Sequence, residues 1–413
     1  MADHSDSSNS WLLLQRVWAL FGLALFGATY KLWFPESTFP HVPLLRPFAA
    51  SIFQTDGVHY LTLGAIVLAL LWLLAKPNAT VWCLMFISLT CSLLVNQHRL
   101  QPWAFHLLLG AMVFMACSRE RGTKLLRILT ISIYVFSAAG KFDYQFMYTV
   151  GQQFLQAATS LIGMDSTQWD AGLTAKATLI FPAFELLVGV LLCNSKTRRV
   201  GIPAAIILHT SIMLILSPLG LNHKPGVVIW NCLFVILIPL LFRANQKPAR
   251  MSTDRSDRSV RSQIVAILVL STSVLPITEP LGKYDHWLAW GLYSPRTSRV
   301  IVNIPLYNVR VIDELEPYMI PQFGDSPFRT FDMRRWSLDE LNVPIYPQDR
   351  FQLAVARHIA HKYQLGDGIE IHLLGIADRF TGQRSSQVLR GVQEIDMYCR
   401  QYFFSATPTY LNR

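Results

Sequence analysis

Charged residues are scarce in this chain. They make up 15% of its 413 residues, whereas 52% are hydrophobic and the mean hydropathy is +0.32. Soluble domains carry about 25% charged residues, so this composition excludes an ordinary soluble protein and indicates one that crosses a membrane several times. The formal net charge of +10 does not predict a nucleic-acid partner, because the excess Lys and Arg lies in short loops between apolar runs.

Two further features are missing, and each excludes a class of protein. The first ten residues contain no Lys or Arg, and the apolar run at 11–34 is too long for the core of a cleavable signal peptide. We therefore predict a short cytoplasmic N-terminus at 1–10 and a first span that stays in the protein. The six cysteines include no C-x-x-C pair, which argues against a thiol redox centre, and we predict no metal site.

Long apolar runs, in contrast, are abundant. A bilayer-spanning helix needs about 20 apolar residues, and by that rule we predict a mainly α-helical fold: a polytopic transmembrane bundle over residues 11–282. Its nine predicted spans are 11–33, 57–76, 79–96, 100–117, 123–141, 172–193, 199–218, 224–243 and 263–282. The connection at 142–171 mixes apolar and polar residues, as is typical of a helix that lies along the membrane surface.

Residues 283–413 have a different character and predict a small C-terminal α/β domain. RVIVNI and IEIHLLGIA have the pattern of strands, whereas FQLAVARHIAHKY and VLRGVQEIDMYCRQYF have helical spacing. Basic residues concentrate in the loops at 119–127, 196–199 and 243–261. Because cytoplasmic loops are rich in Lys and Arg, we predict a plasma (inner) membrane protein whose C-terminal domain is extracytoplasmic.

Several ionisable or polar residues fall inside or at the end of these spans. Lys141 and His98 lie at the predicted outer boundary, and His106, His209 and Asn231 lie deeper in the outer half. Ionisable groups at membrane depth are costly and indicate a functional site. Each also has a simpler explanation, since Lys141 is compatible with a helix-end lysine that extends to the headgroups and His209 with a hydrogen-bonded core histidine.

Two charged residues lie in the predicted inner half of the bundle. An unpaired charge there would cost several kcal/mol, so we predict a structural ion pair between Arg16 and Glu185. Pro182, three residues before Glu185, is expected to kink its helix.

The outer group of residues suggests a chemistry. A lysine desolvated by apolar neighbours can act as a neutral base, and a histidine can relay the proton to water. A matching substrate is a lipid-soluble molecule with an acidic hydroxyl, such as a hydroquinone.

Four short motifs resemble known membrane proteins. FSAAGKFD around Lys141 is similar to the run around the catalytic base lysine of vitamin K-dependent gamma-carboxylases, VNQHRLQPWAFHLLL resembles their Asn-x-His stretch, and ILHTSIMLILSPLG looks like their later His-bearing span. FPAFELLVGVLL resembles the Pro-x-x-Glu-Leu segment of DoxX/MauE-like proteins. Over residues 11–295 the chain therefore resembles the HTTM and gamma-carboxylase-like membrane superfamily.

The resemblance implies roles for the polar residues. Lys141 would deprotonate a reduced quinone, oxygenation would then create a stronger base, and His98 would relay the proton. His209 would be a further catalytic residue. His106 and Asn231 are predicted to bind the quinone because they lie in the same outer half of the bundle. The chain departs from the carboxylases in having one lysine after Gly140 instead of a Lys-Lys pair, and in lacking a recognisable propeptide-binding domain, which puts glutamate carboxylation in doubt.

These observations predict quinol-linked redox or carboxylation chemistry at an outward-facing site. The alternative is a non-enzymatic DoxX/MauE-like, redox-associated subunit that docks an extracytoplasmic protein through its C-terminal domain. The interpretation as a transporter has less support, because the sequence shows no inverted repeat of interrupted spans.

Overall fold

The fold is mainly helical, with one small antiparallel sheet near the C-terminus. The computed structural model describes residues 2–243, 259–322 and 324–409. The basic loop predicted between Arg243 and Arg261 therefore lies largely outside the described residues. The α-helices of the N-terminal two thirds are α1 (Ala2–Ala28), α2 (Tyr30–Trp33), α3 (Asp56–Ala75), α4 (Ala79–Val95), α5 (Pro102–Ala116), α6 (Arg119–Ala139), α7 (Tyr144–Tyr148), α8 (Val150–Ser160), α9 (Ala171–Ala177), α10 (Ile180–Cys193), α11 (Arg198–Leu216), α12 (Pro225–Phe242) and α13 (Val260–Val274).

Every predicted apolar span is helical. Among the described residues, seven helical segments are long and apolar enough to cross a membrane, and they are Asn9–Ala28, Asp56–Ala75, Arg119–Ala139, Ala171–Cys193, Arg198–Leu216, Pro225–Phe242 and Val260–Leu281. Two further predicted spans, Ala79–Val95 and Pro102–Ala116, form shorter apolar helices. The protein is therefore a membrane protein with seven candidate spans in the part of the chain that the structure describes.

The contacts divide the chain into two compact units. The first contains Met1–Ala28, Ala65–Ser88 and Pro102–Pro295, and the second contains Thr29–Gly64, Leu89–Gln101 and Arg296–Arg413. The C-terminal segment predicted as a separate domain thus groups with two stretches from the N-terminal third. Sequence order does not reveal this grouping, because it depends on contacts between residues hundreds of positions apart.

In the first unit, α6 packs against α10 and α13, α10 against α11, and α11 and α1 against α12. Close approach of α6 and α10 requires a small residue, and Gly189 supplies it: a Cβ there would lie 3.0 Å from the Cβ of Tyr134. The predicted surface connection at 142–171 contains α7 and α8, whose buried residues include Phe146 and Phe154.

The kink predicted at Pro182 is present as an interruption between α9 and α10. Thr178 and Leu179 form a turn between the two helices. Proline lacks the N–H that would bond to the carbonyl four residues earlier, and the N–H of Phe181 instead bonds to Thr178 O at 3.2 Å. The segment from Ala171 to Cys193 is thus not one straight helix.

The second unit is built around a four-stranded sheet. Its elements after Arg296 are β1 (Arg299–Pro305), α14 (Val309–Glu314), β2 (Phe328–Phe331), α15 (Met333–Leu341), α16 (Asp349–Lys362), β3 (Glu370–Leu374), β4 (Ser386–Arg390) and α17 (Gly391–Cys399). The strand order is β2-β1-β3-β4, with every neighbouring pair antiparallel. Alternate residues of β1 are buried, and α16 packs against this strand and against α17.

Both predicted strands and the first predicted helix of this region are confirmed. The second predicted helix, VLRGVQEIDMYCRQYF, is wrong at its start, because Val388, Leu389 and Arg390 belong to β4 and pair with β3. Gly391, which has a φ of +72°, begins the helix after the strand. Only glycine adopts this backbone readily, so it marks the change of direction that the apolar spacing conceals.

Candidate functional site

A cavity of about 80 Å³ lies among α6, α10, α11 and α12 of the first unit. We call it the aromatic pocket. Its polar lining consists of Tyr134, Ser137, Lys141, Glu185, His209, Asn231 and Tyr293. Aromatic rings form much of the remaining wall: Phe146, Phe154, Phe181, Trp230 and Phe234. The pocket thus combines a few convergent polar groups with an apolar surround, as small-molecule sites do.

One helix supplies three of these polar groups. Tyr134, Ser137 and Lys141 are spaced three and four residues apart, so the path of α6 places them on one face. Lys141 lies two residues beyond the last helical residue, after the helix-terminating Gly140. Tyr134 and Lys141 are therefore separated by about 10 Å along the helix axis.

Lys141 is buried and forms an ion pair with Glu185. The Lys141 Nζ donates to Glu185 Oε2 at 2.8 Å, to Ser137 Oγ at 2.6 Å and to Ser137 O at 3.1 Å. The two charged side chains are 8% and 15% exposed. All three donors of the ammonium are used, so Lys141 is fixed inside the pocket and does not extend to headgroups as a free helix-end lysine would.

The predicted Arg16–Glu185 ion pair is wrong. Arg16 is exposed and donates to the carbonyl of Ala75 at 3.1 Å, whereas the partner of Glu185 is Lys141. In an uninterrupted helix over 172–193, Glu185 would lie about eight residues from the inner end. The break at Thr178 and Leu179 shortens α10, so Glu185 lies only five residues from its start.

A second chain of hydrogen bonds crosses the pocket wall. Tyr134 OH lies 2.6 Å from His209 Nε2, and His209 Nδ1 lies 2.7 Å from Asn231 Oδ1. Asn231 Nδ2 donates to Val227 O at 2.8 Å, so the Oδ1 of the same amide faces His209 and can only accept. His209 therefore carries its proton on Nδ1, and its Nε2 accepts from Tyr134 OH.

His106 is not among the residues that line the pocket. Its ring stacks with Phe234 at a centroid distance of 5.6 Å, and Trp18 lies 4.7 Å away. Phe234 also stacks with His209 at 4.7 Å. His106 thus supports the pocket wall from behind, and Asn231, the other residue expected to bind the quinone, uses its amide to orient His209.

His98 belongs to the second unit. Its Nε2 lies 3.1 Å from Pro344 O and 3.5 Å from Ser337 Oγ, and its ring lies against Phe39 and Phe351. Burial is the main cause that lowers the pKa of His98 to about 4. The imidazole is therefore neutral near pH 7.

The neighbour of His98, Arg99, is a buried cation of the same unit. Its guanidinium donates to Leu32 O, Trp33 O and Ser92 Oγ at 2.8–3.2 Å. The two carbonyls belong to the end of α2, where a cation interacts favourably with the helix dipole. Asn96 caps the turn by accepting from the backbone N–H of His98. The motif VNQHRLQ thus has an evident structural role in the second unit.

Three polar pocket residues, Tyr134, Ser137 and Tyr293, were not expected from the sequence. Tyr134 lies within an apolar span and carries no signal beyond its spacing from Lys141. Glu185 was recognised, but with the wrong partner. Tyr293 lies in the segment between the last candidate span and β1 and lines the pocket. Its hydroxyl oxygen is 3.0 Å from His223 Nδ1.

The arrangement can hold a small polar molecule and exchange a proton with it. Glu185 is a proton acceptor, the Lys141 ammonium can stabilise an oxyanion, and the aromatic wall separates these groups from bulk water. Among the described residues no group of three or more His, Cys, Asp or Glu is placed to hold a metal ion. No family model, curated protein or solved structure matches this chain.

Proposed function

We propose that the protein binds a lipid-soluble, quinol-like molecule in the aromatic pocket and takes a proton from its ring hydroxyl. The observation that carries the proposal is the buried Lys141–Glu185 pair in an aromatic cavity beside the Tyr134–His209–Asn231 chain. Seven candidate spans indicate that the protein lies in a bilayer, and a lipid-soluble molecule would enter the pocket from there.

Lys141 and Glu185 act together as the base in this proposal. The ligand O–H bond breaks, its proton bonds to a Glu185 carboxylate oxygen, and the electron pair stays on the ligand oxygen. The Lys141 ammonium then exchanges its carboxylate partner for the ligand oxyanion, so the charge on the nitrogen never lacks a counter-ion. This keeps Lys141 at the position that the carboxylase resemblance implies, and gives the proton to Glu185.

The size of the pocket limits what enters it. A cavity of about 150 Å³ accepts a benzene ring, and the aromatic pocket has about half of that volume. A ring therefore enters only if side chains of the wall turn aside. Phe181, Ile212 and Leu292 are partly exposed and line the pocket, so they are the residues expected to move.

The proposal is tested with a coloured ligand. A 2-hydroxy-3-alkyl-1,4-naphthoquinone is lipid-soluble, carries an acidic ring hydroxyl and changes its visible absorption when that hydroxyl ionises. The probe is titrated into the purified protein at a pH near the pKa that its hydroxyl has in micelles. At this pH, the bound probe should be more ionised than the probe dissolved in micelles. Lys141→Met should remove this excess ionisation, and Lys176→Met, which removes an exposed lysine of the same unit, should retain it. Absence of saturable binding, or equal ionisation in wild type and Lys141→Met, would refute the proposal.

A second candidate function is a subunit that docks a protein partner through the second unit. Phe380 and Phe403 motivate it, since these aromatic side chains are 83% and 87% exposed and the ring of Phe403 lies 5.2 Å from that of Phe404. In this case Phe380→Ser and Phe403→Ser should abolish co-purification of a defined partner. Lys141→Met should leave that co-purification unchanged, which separates this function from the first.

A further inference from the structure

Tyr293 connects the aromatic pocket to an exposed turn of the same unit. Its ring lines the pocket and lies 4.9 Å from the ring of Phe154 in an edge-on arrangement. Its hydroxyl lies 3.0 Å from His223 Nδ1. His223 is exposed, in the turn between α11 and α12. One side chain thus reaches from the cavity to a titratable group in contact with solvent.

The backbone is unusual at Tyr293 and at the residue before His223. Tyr293 has a φ of +58°, and Asn222, directly before His223, has a φ of +50°. A bulky residue avoids this left-handed region, whereas asparagine tolerates it. The conformation of Tyr293 must therefore be maintained by its surroundings, and such outliers concentrate at functional sites.

Contacts on both sides of Tyr293 maintain it. Ser294 Oγ donates to Gly140 O at 2.6 Å, next to Lys141. Gly291 lies against the ring of His286, where a Cβ would come within 2.4 Å of His286 Cε1, and the His286 Nδ1 is 2.8 Å from Glu279 Oε1. The backbone on both sides of Tyr293 is thus anchored.

We propose that Tyr293 and His223 form the proton exit of the aromatic pocket, an inference that rests on the proposed function. A proton on Glu185 passes through cavity water to the Tyr293 oxygen as the Tyr293 hydroxyl proton moves to His223 Nδ1. The resulting imidazolium releases the proton on Nε2 to the solvent, and Glu185 becomes a carboxylate again. The cavity is large enough for water, since one water needs about 10–15 Å³ of such space and about 80 Å³ is present.

In this relay, His223 is the group that passes the proton to the solvent. His98, the relay expected from the family resemblance, has its Nε2 hydrogen-bonded within the second unit. One nitrogen of His223 is hydrogen-bonded to Tyr293. The rest of the ring remains accessible to solvent, although its partial desolvation lowers the pKa of the imidazole below the ordinary value. It is therefore neutral near pH 7 and able to accept a proton. The charged groups on its route are Lys141 and Glu185 inside the pocket and Lys224, the next residue in the turn.

The test follows proton exchange of the bound hydroxynaphthoquinone after a rapid change of bulk pH in weak buffer. Tyr293→Phe and His223→Ala should each slow the colour change of the bound probe about tenfold or more. Millimolar imidazole should restore the rate in His223→Ala, because it can replace an exposed side chain, but not in Tyr293→Phe. Tyr148→Phe, which alters an exposed tyrosine of the same unit, is the control and should match wild type.

The outcomes separate the relay from the function on which it rests. Unchanged rates in both variants, with normal probe binding, would overturn the relay and leave the proposed function standing. Slow exchange in both variants with no difference in imidazole rescue would assign Tyr293 and His223 a purely structural role and also overturn it. If wild type does not bind the probe, both the relay and the proposed function fail.

Discussion

The Lys141–Glu185 pair makes the most specific energetic prediction, because both side chains are almost fully buried. Removing one partner of a buried ion pair leaves an uncompensated charge and costs about 3–5 kcal/mol. The slight exposure of Glu185 places the expected loss near the lower end, at about 3 kcal/mol for Lys141→Met. The double variant Lys141→Met/Glu185→Met removes both charges and should lie within about 1 kcal/mol of wild type.

The measurement is a double-mutant cycle. The free energy of unfolding of each variant is obtained by denaturant titration in mixed micelles. The exposed pair of Lys124 and Glu120, 3.9 Å apart, is the matched control and should show a coupling below about 1 kcal/mol. Losses that simply add in the double variant of Lys141 and Glu185 would refute the reasoning. A coupling of Glu185 to Arg16 instead would restore the pairing that the sequence suggested.

Three further predictions concern the two units separately. Because the folded-state pKa of His98 is about 4 and that of an unfolded histidine about 6.5, the unfolded chain binds more protons between these values. Stability should therefore fall by up to about 3 kcal/mol as the pH drops through this window, and melting curves of His98→Gln should show a shallower decline. Asn231→Leu leaves the Nδ1–H of His209 without its acceptor and should cost about 1–3 kcal/mol in the free energy of unfolding. Gly189→Leu should lower the melting temperature more than Gly64→Leu, because a side chain at 189 meets Tyr134 whereas Gly64 has open space.

The helices and the first site residue could be predicted from the sequence, because both depend on local patterns. Each apolar run of sufficient length became a helix, and Lys141 was conspicuous as a charge at the end of one. His209 and Asn231 were assigned to the same half of the membrane from their distance along the helix. The structure joins them directly through a hydrogen bond of 2.7 Å.

The partners of these residues could not be predicted, because they depend on small departures from regular structure. The two-residue turn before Pro182 shortens α10, so Glu185 lies five residues from the start of that helix. Its partner there is Lys141 and not Arg16. Tyr293 carries no sequence signal, since its position results from a left-handed backbone and contacts to Gly140 and His286. The grouping of residues 29–64 and 89–101 with the C-terminal segment likewise has no local pattern.

The central claim is that the aromatic pocket binds the ring of a lipid-soluble quinone or quinol. Its most direct test is mass spectrometry of the lipids extracted from purified wild type and from Leu208→Trp, which fills the pocket from a wall residue that takes no part in the proton chemistry. We expect a quinone that co-purifies with wild type and is lost in Leu208→Trp while the variant remains folded. Equal amounts of quinone in both proteins, or none in either, would contradict the claim.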